Sequence, residues 1–255
     1  MILLMFMNEP KKNKNQMVNY ILIVICFFSF PLQTTFSSSF NTNALSYTES
    51  ESSTSKLIQK RIALTFDDGP YGKATTDILN ILKKENIHAT FFLVGSNVKK
   101  YPDIARRIVS DNNLIGNHTY SHSRSLPYLS AKKFEKEITK TENIIASTTG
   151  IHTIFFRPPF GVLSKTMNDV LNKHKYTIFM WTVDPHDWDY KKSPTNIIVS
   201  KVLQEAKPES IILLHDGRDT QIGYPRDNTV QALPIIIKRL KKDGYTFVTL
   251  DKLIN

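Results

Sequence analysis

The chain has 255 residues and a mass of 29.2 kDa, with 41% hydrophobic and 11% aromatic residues. That is enough apolar material for one substantial core and too much for a disordered polyelectrolyte. The single cysteine, Cys26, excludes an internal disulfide and a cysteine-rich zinc site, and a net charge of +10 points to anionic surroundings such as a wall polymer, phospholipid or nucleic acid.

From the N-terminus, Lys11, Lys12 and Lys14 precede an apolar run from Tyr20 to Leu32. A basic region followed by an apolar stretch of this length is the pattern of a secretory signal, and the run is short for a membrane-spanning helix. Residues 1–32 are therefore expected to be a signal peptide or an N-terminal membrane anchor, which places the protein outside the cytoplasm, secreted or anchored at the cell wall. Residues 33–56 are more than half Ser and Thr without periodic apolar positions, and read as a flexible linker. Residues 57–255 form the expected globular domain, and the basic surplus persists within it.

Seven apolar runs follow the linker: Arg61–Phe66, His88–Val94, Leu114–Asn117, Thr153–Phe156, Tyr176–Val183, Ser210–Leu214 and Tyr245–Leu250. Between them, apolar residues recur three or four apart, as in Ile78, Leu79 and Leu82 or Ile198, Val202 and Leu203, and Pro102 and Pro194 stand where helices should begin. Seven strands alternating with helices predict a parallel α/β architecture, either a closed β/α barrel or a doubly wound sheet.

Polar residues with chemical potential stand directly after these runs: Asp67 and Asp68, His118, Arg157, Asp184 and Asp187, and His215. In a β/α barrel the strand C-termini meet at one face, so separated stretches become one pocket. Asp68, His118 and His122 offer one carboxylate and two imidazoles, a donor set suited to zinc or another divalent transition ion with positions left for water and substrate. Two adjacent carboxylates repel, so one can serve as a ligand while the other handles a proton. Gly69 and Pro70 are expected to fix the bend that aims them. Taken alone, Arg157 reads equally as a surface ion pair and Trp188 as core packing.

Together TFDDGP (65–70), HTYSH (118–122), RPPFG (157–161), DPHDW (184–188) and LLHD (213–216) resemble the polysaccharide deacetylase domain of carbohydrate esterase family 4. The resemblance spans residues 61–250. It implies a distorted parallel β/α barrel of about seven strands that removes acetyl groups from glycans, with residues 57–255 as the catalytic domain. It further implies Asp67 as general base, and Asp68, His118 and His122 as ligands of one divalent ion, zinc first and cobalt, manganese or nickel as alternatives. His215 is implied as general acid, oriented by Asp187, with Arg157 holding Asp67. Leu213 and Trp188 are implied as walls of the acetyl-methyl pocket, and the backbone N–H of Phe160 as an oxyanion donor. Many family members carry Tyr where this chain has Phe160, so any contact of a tyrosine hydroxyl is lost here. Asp184 is expected to be a local structural partner and His186 an exposed loop residue.

The expected function is metal-dependent removal of N-acetyl groups from a glycan, with peptidoglycan N-acetylglucosamine as the leading substrate. Chitooligosaccharide, poly-N-acetylglucosamine and acetylxylan are the alternatives, and a non-catalytic glycan-binding protein is the alternative from another class. A zinc protease is disfavoured because there is no HExxH motif. No nucleic-acid-binding motif is present, and the basic surplus is expected on solvated helix faces that include Lys83, Lys84, Lys238, Lys241 and Lys242.

Overall fold

A computed structural model describes residues 60–217 and 226–254. The expected export segment 1–32 and linker 33–56 lie outside the described residues. In chain order the elements are β1 (Lys60–Asp67), α1 (Gly72–Lys84), β2 (Thr90–Leu93), α2 (Gly95–Lys100), α3 (Pro102–Ser110), β3 (Leu114–Asn117), α4 (Ala131–Thr149), β4 (Phe155–Phe156) and α5 (Lys165–Lys173). There follow β5 (Thr177–Ile178), α6 (Thr195–Glu205), β6 (Ser210–His215), α7 (Asp227–Lys242), β7 (Tyr245–Phe247) and α8 (Leu250–Leu253). No helix among the described residues is long and apolar enough to cross a membrane.

All strand pairs are parallel, in the order β5-β4-β3-β2-β1-β6, with β7 also on β1. Ile62 pairs with both β6 and β7, so the two lie on opposite edges of β1: β6 runs along one from Ile62 to Asp67, and β7 (Lys60–Ile62) and β2 (Thr65–Asp67) share the other. The chain leaving β5 reaches the far side of the sheet, where Val183 forms a parallel bridge with Ile212 and Leu213 N–H donates to its carbonyl at 2.9 Å. The result is the expected distorted β/α barrel, with its ends joined at one bridge.

Period-two alternation explains why the strands read as continuous apolar runs, since both faces are buried. On β1, Ile62, Leu64 and Phe66 face the helix layer, packing with Ile78, Leu79 and Leu82 of α1 and Ile236 and Leu240 of α7. Each such fully buried Leu or Ile contributes about 1.5–3 kcal/mol. Ala63 faces the interior with Phe92, Phe179 and the α8 residues Leu250 and Leu253. A Cβ at Gly116 of β3 would sit 2.5 Å from the Phe92 ring, so glycine there lets the aromatic fill the barrel. Helix α8 closes the end where strands begin: Leu250 N–H donates to Thr90 Oγ1 and Arg61 to the Lys252 carbonyl at 2.7 Å. The opposite end is left for side chains at the strand C-termini. Lys83, Lys84, Lys238, Lys241 and Lys242 are exposed on helices, as expected.

Four strands are shorter than the sequence predicts; β2 and β4 each begin two residues late, at Thr90 and Phe155. The run Tyr176–Val183 forms a ladder only at Thr177–Ile178: the next donor on β4 would be Pro158, which has no N–H, and the carbonyls of Phe179 and Met180 accept instead from the Arg157 guanidinium inside the barrel. The run Tyr245–Leu250 ends as a strand at Phe247, and Leu250 begins α8.

Candidate active site

Alternation on β1 places Thr65 and Asp67 inward, and the parallel register sets Thr65 beside Leu213 and Asp67 beside His215 at the ends of β1 and β6. The bend is carried by Asp68 itself, at φ 75°, a left-handed conformation that aspartate tolerates better than most residues. Gly69 is needed for space: a Cβ there would lie 2.1 Å from Asp216 Oδ2, while one at Gly217 would lie 2.0 Å from the Asp68 carbonyl. The two strand ends thus cross at contact distance through two glycines, which seats Asp68 against β6.

His118 directly follows β3, and its Nδ1 lies 2.8 Å from the Arg157 carbonyl. A carbonyl only accepts, so Nδ1 carries the proton and Nε2 is a lone-pair donor. His122, at φ 50°, closes a compact loop in which Thr119 is also left-handed at φ 67°. That loop is pinned by Glu137 of α4, whose Oε2 accepts from Tyr120 N–H, Ser121 N–H and Ser121 Oγ at 2.8–3.0 Å. Ligand atoms of Asp68, His118 and His122 lie within 4.8 Å of one another. Asp68 Oδ1 is 3.0 Å from His122 Nε2 and 3.5 Å from His118 Nε2, yet it is buried and accepts no directed hydrogen bond. Three donors facing a common point rather than one another fit a divalent ion. Burial opposes ionisation of Asp68, and the His122 and His118 imidazoles overcome it, holding its carboxyl well below the usual carboxylate range.

Two buried ion pairs flank this set. Arg157 is fully buried and donates from Nη1 to Asp67 Oδ1 and to Thr65 Oγ1, both at 2.8 Å, while its other nitrogens hold the Phe179 and Met180 carbonyls. Its guanidinium carbon stands 4.2 Å from the centre of the Phe92 ring. With Oδ1 occupied, Asp67 turns Oδ2 toward His118 Nε2, 3.8 Å away. On the other side His215 Nδ1 donates to Asp187 Oδ1 at 2.7 Å, and Asp187 Oδ2 accepts from His215 N–H at 2.9 Å and Thr229 Oγ1 at 2.7 Å. Burial alone would depress the His215 value; the Asp187 charge and hydrogen bond, with Asp68 adding, push it up to about 9. His215 therefore carries a proton at neutral pH.

The structure brings together Asp67, Asp68, His118, His122, Arg157, Asp187 and His215. Phe160, at φ 59°, lays its ring 4.6 Å from that of His122, and Arg124 stacks on Phe160, also at 4.6 Å. Leu213 is 3% exposed while Trp188 is 45% exposed, so the two expected pocket walls differ, one buried and one exposed. Asp184 accepts from His186 N–H at 2.8 Å in a local turn, and His186 is exposed, its Nδ1 3.0 Å from Lys201 Nζ. Sequence reasoning did not single out Thr65, Glu137, Asp216 or Thr229. Thr65 was within reach, two residues before Asp67 on the same strand face. Asp216 is fully buried: burial pushes its carboxyl up to about 7, a hydrogen bond from Thr75 Oγ1 at 2.6 Å opposing and the charges of Asp68 and Asp67 adding to it.

A family model described as polysaccharide deacetylase matches residues 54–179. A peptidoglycan-N-acetylglucosamine deacetylase of Bacillus cereus is 39% identical over 189 residues, covering 74% of this chain and 66% of that protein. PdaC of Bacillus subtilis, a peptidoglycan-N-acetylmuramic acid deacetylase, is 38% identical over 195 residues, covering 76% of this chain and 39% of its own length. This chain thus spans less than two thirds of each of these relatives. A solved structure of PdaC superimposes with a TM-score of 0.68 at 38% identity, over 77% of this chain and 90% of the solved one.

Proposed function

This chain belongs to the polysaccharide deacetylase family, and from that premise we propose that it is a metal-dependent hydrolase removing N-acetyl groups from peptidoglycan, with acetate and a free amine as products. The observation that carries the reading is the Asp68, His118 and His122 cluster standing between the Arg157–Asp67 and Asp187–His215 pairs at neighbouring strand ends. A divalent ion held by Asp68, His118 and His122, zinc first by its ligand chemistry, supplies Lewis acidity at that point.

The remaining roles fall to the chain's own groups. Arg157 fixes one oxygen of Asp67 and leaves the other to take a proton from the attacking water. His215, protonated through Asp187, gives its Nε2 proton to the departing nitrogen, without which an amide anion would have to leave. Base and acid are separate residues because they act on opposite sides of the scissile bond. The backbone N–H of Phe160 is the candidate oxyanion donor, a contribution of about 2.7–4 kcal/mol in enzymes where such a donor has been removed. Phe160 and Trp188 offer exposed apolar faces for sugar rings.

Peptidoglycan is favoured as substrate by the names of the relatives and by the basic surplus, which suits anionic wall polymers. The basic and apolar segment 1–32 supports an extracytoplasmic enzyme, secreted or anchored. The deciding experiment measures acetate release from purified peptidoglycan, an N-acetylglucosamine oligomer and acetylxylan, with and without chelator. Chelator-sensitive release from peptidoglycan, with the mass of an acetyl group lost from its fragments, is the expected result. Binding without acetate release overturns the hydrolase reading, and release from another glycan alone overturns the wall assignment.

A further inference from the structure

Asp68 uses its two oxygens differently. Oδ1 faces the imidazoles, while Oδ2 lies 3.8 Å from Nη2 of Arg226, a residue only 5% exposed. The same guanidinium donates from Nε to the Gly217 carbonyl and from Nη1 to the Asp187 carbonyl at 3.4 Å. Gly217 is the residue whose missing side chain lets β6 cross the Asp68 backbone. Asp187 is the residue that orients His215. One buried cation therefore touches the carboxylate of the metal set, the crossing that seats it, and the backbone of the acid's partner.

We propose that Arg226 is a positioning residue that holds Asp68 for the metal through Oδ1 and registers the metal-binding half of the site against the His215–Asp187 half. A guanidinium suits this task because its donors leave in three directions from one rigid plane, whereas an ammonium is a single point charge on a flexible stem. Partners of metal-bound carboxylates fix which oxygen points at the ion, and their loss typically weakens metal binding by about 10–100-fold. Charge alone predicts the opposite sign, because removing a cation beside a metal site should favour the metal. The two effects are separable by experiment. The inference rests on Asp68 being a metal ligand.

The test uses the full chain and the variants Arg226→Lys and Arg226→Gln, stripped of metal and titrated with zinc in competition with a chromophoric chelator. Near-ultraviolet circular dichroism and thermal unfolding report the fold. The expected result is zinc binding weakened about 10–100-fold in Arg226→Gln and less in Arg226→Lys, with kcat at saturating zinc still below wild type because Asp187 has lost its register. Equal or tighter zinc binding in a folded Arg226→Gln variant overturns the proposal. Full recovery of kcat at saturating zinc overturns the link to His215, and failure of both variants to fold assigns Arg226 to folding instead. A wild-type chain that binds no zinc sinks the metal site itself, an outcome distinct from unaffected variants of a zinc-binding wild type.

Discussion

Asp187→Asn is the sharpest test of the acid assignment, because both oxygens of this carboxylate are committed. Oδ1 accepts from His215 Nδ1, and Oδ2 accepts from the His215 backbone N–H and Thr229 Oγ1. An amide has one acceptor oxygen. If that oxygen stays on Nδ1, the NH2 group faces the His215 N–H, donor against donor, at a cost of about 1–3 kcal/mol for the unmet buried group. If the amide turns over, its NH2 faces Nδ1 and favours the neutral ring. In either pose the charge that outweighs burial at His215 is gone, and the value should fall from about 9 to its ordinary 6.5 or below. At pH 7.5 the protonated fraction then drops from about 97% to about 9% or less, roughly tenfold, and the lost interaction is about 3 kcal/mol. A bound divalent ion offsets the smaller contribution of Asp68, so the alkaline limb of the loaded wild type falls somewhat below 9, while the difference made by Asp187 persists. The assay is kcat/KM for acetate release from an N-acetylglucosamine oligomer from about pH 6 to 10, with zinc saturating. An Asp187→Asn enzyme that keeps the wild-type alkaline limb and turnover would refute the reasoning.

Asp67→Asn should bind zinc as the wild type does, since Asp67 stands outside the ligand set, yet lose turnover by about 10²–10⁴-fold; wild-type acetate release in that variant removes Asp67 from the base role. Zinc at 100 times its dissociation constant should stabilise the fold by about 2.7 kcal/mol, read as a rise in Tm that chelator reverses, and an unchanged Tm counts against the site. Asp216 has a folded value of about 7, above its ordinary 3.8, so the folded chain holds a proton that the unfolded chain has released. Its contribution therefore lowers stability as pH rises from about 4 through 7. Thermal unfolding of the metal-free protein at pH 5 and 8 should show this decline weakened in Asp216→Asn, and an identical decline in both proteins would place the titrating group elsewhere.

The central strands were legible because parallel strands buried on both faces leave uninterrupted apolar runs, and the chemical residues were legible because most of them follow such a run directly. The same signal misjudged length. In Tyr176–Val183 the apolar character persists beyond the ladder: Phe179 and Val183 are buried, with Met180 and Thr182 exposed between them. Position in the site was less visible than identity. Asp68 rather than Gly69 takes the left-handed turn, and Gly69 serves by leaving room for Asp216, a contact between segments 147 residues apart. Glu137 pins the histidine loop from the middle of α4, where a charged residue on an amphipathic helix looks like ordinary solvent-facing polarity. Periodicity records how a residue relates to neighbours two or four positions away. It says nothing of a guanidinium inside the barrel, and Arg157, which read equally as a surface ion pair, takes the Phe179 and Met180 carbonyls that the ladder leaves open where Pro158 offers no N–H. The group that orients Asp67 is thus also the one that satisfies the carbonyls beyond a strand's early end, and neither contact leaves a repeat in the sequence.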